Sequence, residues 1–563
     1  MYLRFSILLL AFGWSLQLFA QDFLMNKLPL DNWDLGNWKQ VENVDNPFQK
    51  KSKTGFAAGN KFLFSNSPAK ITSRLTTADA KLKFEFMLGN SSEAVFYVQG
   101  KHAILLHSGA IQTKDGNLKL PNQHASRSAG LWQTLELTFS EASFGNALTL
   151  EKVVMNDILI HQGYVFPTEG KNEGPIVFEN KIGTVAIRNV EYLKYNKETP
   201  LKLSGLSYEL FETFDWDKQF GKKKEIPDES GIATELTKNY GVGLKRFLLV
   251  FKGNLDVEKD GSYSLIADYA GKGAVKVDGK EILPMIDESY RKPRIAYVDL
   301  KKGKHPIEIR YIKVWWRPEL GLFAAGPEIR PYALHAENSL PTPQAVGEIS
   351  IKPKSDVELV RSFIMFDGKK RTHVMSVGSP VGVHYSYDLN QGALLYAWRG
   401  DFADVTEMWH ERGEPQILRP IGVQTKFSGK PSVAVLDDLN AAMPDSLDEY
   451  KALVFKGYLL DNQGFPTYKY RYKGAEIAQK ITPNNGGIAT TISVSGGSNL
   501  YCKLAEGKNI SMIDKGRYLV DNQYIILDEK ANGRRSAPII RITKNGQEII
   551  MPLVDTVSYS IEW

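Results

Sequence analysis

The sequence predicts an all-β protein built from three consecutive β-sandwich domains, and three observations carry that expectation. The 563 residues include 47 Gly and 26 Pro, a turn-rich composition. Segments that alternate apolar and polar residues recur along the chain, which is the two-residue period of half-buried strands. Gly, Asn and Pro punctuate those segments, and no long helical period interrupts them in the first third of the chain. Charged residues make up 24% and apolar residues 43%, the balance of a folded globular chain. The net charge of +6 is thinly spread. Its densest basic run, Lys222-Lys223-Lys224, is followed at once by Glu225 and Asp228, so no nucleic-acid-binding stripe is expected.

Residues 1–20, MYLRFSILLLAFGWSLQLFA, read as a cleavable signal peptide. Arg4 supplies the positive start, an apolar stretch opens at Ile7, and the small residue Ala20 precedes QDF. The expectation is an exported protein, periplasmic or extracellular. No later segment approaches the roughly 18 apolar residues of a membrane span. Residues 21–198 form the first predicted domain, with strand patterns at AKLKFEF (80–86) and WQTLELTF (132–139), then at VVMNDILIHQG and GTVAIRNVEYL. Residues 199–338 form the second, where VDGK (277–280) is a tight turn between strands. Residues 339–346 are the linker, within a stretch holding two prolines and no periodicity. Residues 347–563 form the third, again strand-rich, with a hairpin turn at KNGQ (544–547) and one short helix expected at 445–454, capped by Asp445. The single cysteine, Cys502, excludes an intrachain disulfide, a cysteine zinc site and c-type haem. Its place in LYCKL predicts a buried, inert thiol.

Candidate functional residues fall in two groups. In the first domain Tyr97, Gln99, His102, His124 and Trp132 could line one face, Tyr97 and Gln99 by their two-residue spacing. In the third, His373, His384 and His410 lie close in sequence to Asp388, Asp404 and Glu411. Trp398-Arg399 and Trp409-His410-Glu411-Arg412 set aromatic faces beside guanidinium groups, a pairing suited to sugar rings and their hydroxyls. The catalytic candidates are therefore His102, His384 and His410. The substrate-binding candidates are Tyr97, Gln99, His124, Trp132, Trp398, Arg399, Trp409 and Arg412. No HxH or HExxH spacing, nucleotide loop or nucleophile elbow occurs, so neither a metal nor a cofactor is expected. No Glu-x-Asp-x-Glu strand occurs either, which argues against a retaining glycosidase with paired carboxylates.

Four stretches of the first domain, KFEFMLGNSSEAVFYVQG (83–100), GLWQTLELTF (130–139), MNDILIHQGYVFPTEG (155–170) and GPIVFENKIGTVAIRNVEYLKY (174–195), resemble the 3-keto-disaccharide hydrolase domain. The resemblance implies a concanavalin-like jelly roll. It also implies altered chemistry, because Ser92 stands in place of the family's turn glycine and Ala103, Ile104 and Leu105 where it carries Glu and Gln. The second domain, through Phe251–Leu255, Gly261-Ser262-Tyr263 and Val277–Lys280, resembles the protective-antigen-type domain of bacterial toxins, adhesins and glycosidases. The third, through 371–415 and FKGYLLDNQGFPTYKYRYKG (455–474), is similar to a β-sandwich module of exported proteins from sugar-degrading bacteria, found beside sugar-dehydrogenase domains. The expectation is an exported carbohydrate-binding protein with a degenerate hydrolase domain. Two alternatives stand: a hydrolase or lyase of 3-keto-glycosides using a His or Tyr base, and a structural subunit that docks a periplasmic sugar dehydrogenase.

Overall fold

The computed structural model describes residues 25–49, 58–141, 147–167, 173–212, 226–288, 293–313, 317–340, 348–409, 416–448, 452–532, 537–544 and 546–563. The signal-peptide expectation lies outside them. The all-β expectation holds: strands dominate, and the α-helices among the described residues are the four-residue turns Thr406–Trp409 and Glu529–Asn532. Contacts gather the chain into two compact units, one built mainly from Glu191–Ala345, the other from Leu28–Ala78, Leu82–Val190 and Val346–Trp563.

In the first unit the 17-residue strand Gly261–Val277 is the organiser. Its first half pairs with Arg294–Leu300 and Glu319–Gly326, its second half with Lys280–Glu288 and Gly303–Lys313. The turn after it forms at VDGK as the sequence predicts. Val277 faces Lys280, and Asp278 and Gly279 take φ of +52° and +75°, the left-handed pair that a two-residue hairpin needs. Tyr311 is fully buried there, and its hydroxyl donates to Ala270 O at 2.9 Å.

In the second unit an eight-stranded and a seven-stranded sheet form the N-terminal sandwich. Strand Ala80–Leu88 shows why. Leu82, Phe84 and Phe86 turn inward and are 1% exposed or less, while Lys83 and Glu85 alternate outward. Phe84 then meets Phe96 and Phe178 of the other sheet with ring centroids 4.9 Å apart in each pair. The C-terminal block adds a six-stranded, a four-stranded and an eight-stranded sheet around one shared core. Tyr387 of the six-stranded sheet stacks on Tyr468 of the eight-stranded one at 4.3 Å. Cys502 lies fully buried in the same core, and burial pushes its thiol pKa up to about 12, the inert state expected of it.

The helix expected at 445–454 does not form among the described residues of that segment. Leu453 instead opens strand Leu453–Leu460 opposite Tyr472 and is 4% exposed. Burying Leu453 against that core outweighs the weak helical preference of so short a stretch.

Candidate functional site

The outer face of the eight-stranded sheet carries the most developed constellation. On strand Trp132–Glu141 Gln133, Leu135 and Leu137 are buried in alternation, so Trp132 points outward. On strand Val185–Lys194, Val185 and Ile187 fill the core and Arg188 faces out. Phe62 lies on the adjoining strand Phe62–Ser65. The three side chains stack: Phe62 and Trp132 have centroids 5.5 Å apart and planes 22° from parallel. The Arg188 guanidinium lies 3.9 Å over the Trp132 ring, close enough for a cation–π contact. Arg188 is fixed by Glu85, with Nη2 to Oε2 at 2.6 Å and Nε to Oε2 at 2.8 Å. Asn189 Nδ2 donates to the other Glu85 oxygen at 2.7 Å.

On the same face the segment 44–49 roofs a groove of about 210 Å³ floored by Phe64, Met87 and Ala186. Asp45 lines it and makes no hydrogen bond or ion pair with the described residues. The roof is held by the C-terminal block. Asn46 Nδ2 donates to the Tyr524 hydroxyl at 2.8 Å, Phe48 meets Tyr524 edge-on at 5.3 Å, and Asn522 Nδ2 donates to Trp132 O at 3.0 Å.

The other predicted residues scatter. Tyr97 lies on the outer face of the seven-stranded sheet, away from Trp132, where its hydroxyl donates to Glu179 Oε2 at 2.5 Å. Lys70 approaches Glu179 at 3.6 Å. Burial and the adjacent carboxylate raise the Tyr97 pKa to about 12, so the phenol keeps its proton. Gln99 does not share that face as a strand residue. It sits in a turn with φ +54°, is 2% exposed, and donates to Ala78 O at 3.2 Å. His102 pairs in register with Val98, one step out of phase with Tyr97, and stacks on Phe166 at 4.3 Å inside the sandwich edge. Burial, with Lys101 beside it, lowers its pKa to about 4.

In the C-terminal block His384 is 1% exposed and both ring nitrogens are occupied. Nδ1 accepts from Ser379 N at 3.0 Å and Nε2 donates to Gly400 O at 2.9 Å. That ring has no nitrogen left for a substrate. Trp398 is fully buried, its indole N–H donating to Phe402 O at 2.8 Å. Trp409 is 72% exposed. His410 and Arg412 lie outside the described residues, as does Glu411. Asp388 is buried and accepts from Asn390 N and Arg371 Nη1 at 3.0 and 3.2 Å, while Asp404 caps Thr406 N at 2.9 Å.

Arg399 and His124 do come together, at the seam between the N-terminal sandwich and the C-terminal block. Arg399 Nη2 reaches Ser128 Oγ at 3.4 Å and also donates to Gly486 O. Val423, opposite Arg399 on the next strand, donates its N–H to His124 O at 3.2 Å. Arg127 stands beside them, a residue that sequence reasoning passed over.

Sequence reasoning also missed Glu179, Lys70 and Asp45. For Glu179 the signal was present: in PIVFEN the buried Phe178 fixes the parity that turns Glu179 outward beside Tyr97.

Among the described residues no group of three or more His, Cys, Asp or Glu side chains could hold a metal ion, and no helix is long and apolar enough to cross a membrane. No family model and no curated protein matches the chain. Solved structures with partial likeness include a Parabacteroides distasonis protein named as a candidate glycosyl hydrolase, with 9% identity, 28% of this chain and 87% of that one covered, and a TM-score of 0.18. A second is an anti-sigma factor domain-containing protein from Clostridium clariflavum, at 15%, 54%, 98% and 0.21 in the same order. A third is a PA14 sugar-binding domain from an RTX adhesin, at 14%, 23%, 93% and 0.20. With every score below 0.5, the description of this protein as an all-β chain of sandwich type rests on its own strands and cores.

Proposed function

We propose that this is an exported carbohydrate-recognition protein whose sugar contacts lie on the outer face of the eight-stranded sheet. The observation that carries this reading is the Phe62–Trp132–Arg188 stack beside a groove of about 210 Å³. Sugar sites combine apolar surface for the C–H face of a ring with a few oriented polar groups for its hydroxyls. Phe62 and the edge of Trp132 supply the first, Glu85, Arg188 and Asn189 the second. The groove falls below the roughly 300–1,000 Å³ of a drug-sized site, which suits one ring at the end of a chain. The paired state of Glu85 favours binding over proton transfer, since its oxygens are already engaged by Arg188 and Asn189.

Titration calorimetry with neutral mono- and oligosaccharides tests this. Trp132→Ala and Phe62→Ala are each expected to weaken binding about tenfold, or ~1.4 kcal/mol. Binding by both variants at wild-type strength, or no binding of any sugar by the wild type, would sink the reading.

A second reading has one observation in its favour. Asp45 lines the groove with no partner among the described residues, and a lone carboxylate suffices to abstract a proton beside a ketone. In that reading the resemblance to 3-keto-disaccharide hydrolases extends to activity, and Asp45→Asn abolishes release of aglycone from a 3-keto-glycoside.

A further inference from the structure

We infer that the seam around Arg127, Arg399 and His124 is a second binding site, one that takes an oxyanion: the carboxylate of an acidic sugar. Among the described residues, neither guanidinium has a carboxylate within ion-pair distance. Arg127 makes no side-chain hydrogen bond with the described residues, and its backbone N–H donates to Gln133 Oε1 at 2.8 Å. Arg399 spends Nη2 on Ser128 and Gly486, while its Nε is buried without an acceptor. The two cations act on each other through space, and Arg399 also acts on His124. Asp157 and Glu562 are the carboxylates that offset them, and both act only at longer range. Two half-buried like charges with no carboxylate in direct contact are unfavourable, and an anion supplied from outside would pair with both. Guanidinium forks match the two oxygens of a carboxylate, and charge-assisted bonds of this kind are the strong ones.

The site is also built to hold its shape. Asn156 is 6% exposed and its Nδ2 donates to Ala125 O at 2.7 Å and to Gln133 Oε1 at 3.1 Å. Ser128 N and Oγ both donate to Trp563 O, at 3.2 and 2.9 Å. Segment 124–128 is thereby tied to Asn156 and to Trp563, and Val423 N and Arg399 Nη2 join it to the strand pair that carries Arg399. The oxyanion part of this inference rests on Arg399 reaching Ser128, next to Arg127, and on the electrostatic coupling of the two guanidiniums; the sugar part rests on the carbohydrate reading above.

The test is calorimetry of the full chain with glucuronate, glucose and inorganic phosphate, on wild type, Arg127→Gln and Arg399→Lys. Glucuronate is expected to bind at least about tenfold more tightly than glucose, and the preference to shrink as salt is raised. Arg127→Gln removes a guanidinium that makes no hydrogen bond with the described residues, so it should weaken glucuronate about tenfold and leave glucose unchanged. Arg399→Lys keeps the charge without the fork and should weaken glucuronate by less. The inference is overturned if glucuronate fails to bind, if Arg127→Gln binds it as the wild type does, or if phosphate binds and glucuronate does not. Glucuronate binding that depends on Arg127 but not on Trp132 would uphold this site even if the groove proved inactive.

Discussion

At His384 the imidazole is enclosed and hydrogen-bonded on both nitrogens, so charging it within the fold requires breaking the bond it accepts from Ser379. Burial lowers its pKa from 6.5 to about 4. The sign follows: between those two values the unfolded chain takes up a proton that the folded chain refuses, so stability falls as the pH falls. The slope is about 1.4 kcal/mol per pH unit. Denaturant melts at pH 6.5 and 4.5 should therefore differ by about 2 kcal/mol more in wild type than in His384→Gln; equal differences would mean the ring is charged in the folded protein. The same neighbourhood shows what parity alone could have told. Adjacent strand residues point to opposite faces, so Trp398 and Arg399 cannot both line one cleft. Trp398 went to the core and Arg399 to the seam. Tyr97 and Gln99 had the right spacing, but Gln99 lies in a left-handed turn that the two-residue period does not describe.

Strands were legible as elements because alternation is a local property. AKLKFEF and VDGK form as their residues predict, and the hairpin at KNGQ closes with Thr543 opposite Gly546. The lost helix at 445–454 was a competition between local propensity and a distant core, which sequence spacing does not weigh. One close approach governs the seam. Gly400 and Gly422 face each other across strands Ala393–Asp404 and Arg419–Lys426, with φ of +129° and +143°. A Cβ on Gly422 would lie 1.8 Å from Arg399 O. Gly422→Ala must push the strands apart and should cost about 3 kcal/mol or more, read from the denaturation midpoint. It should also weaken glucuronate binding by displacing Arg399, whereas a variant with wild-type stability would show that the strands are not in that contact.

Across the larger unit, the candidate groove depends on residues hundreds of positions apart. Asn46 and Tyr524 meet across 478 residues, and Asn522 and Trp132 across 390. No local pattern announces such pairs, which is why the face of Trp132 could be anticipated but its roof could not. Tyr524→Phe removes the hydroxyl that Asn46 donates to and should lower stability by about 1 kcal/mol. A double-mutant cycle with Asn46→Ala separates that bond from the packing of the ring. The central claim is recognition without cleavage, and one measurement meets it most directly. The full chain is equilibrated with a panel of 3-keto-glycosides and their unoxidised parents, and bound and released species are identified by mass spectrometry. Sugar retained by the protein and recovered intact is the predicted result; aglycone released from the keto substrates alone would contradict it and make Asp45 the base to examine.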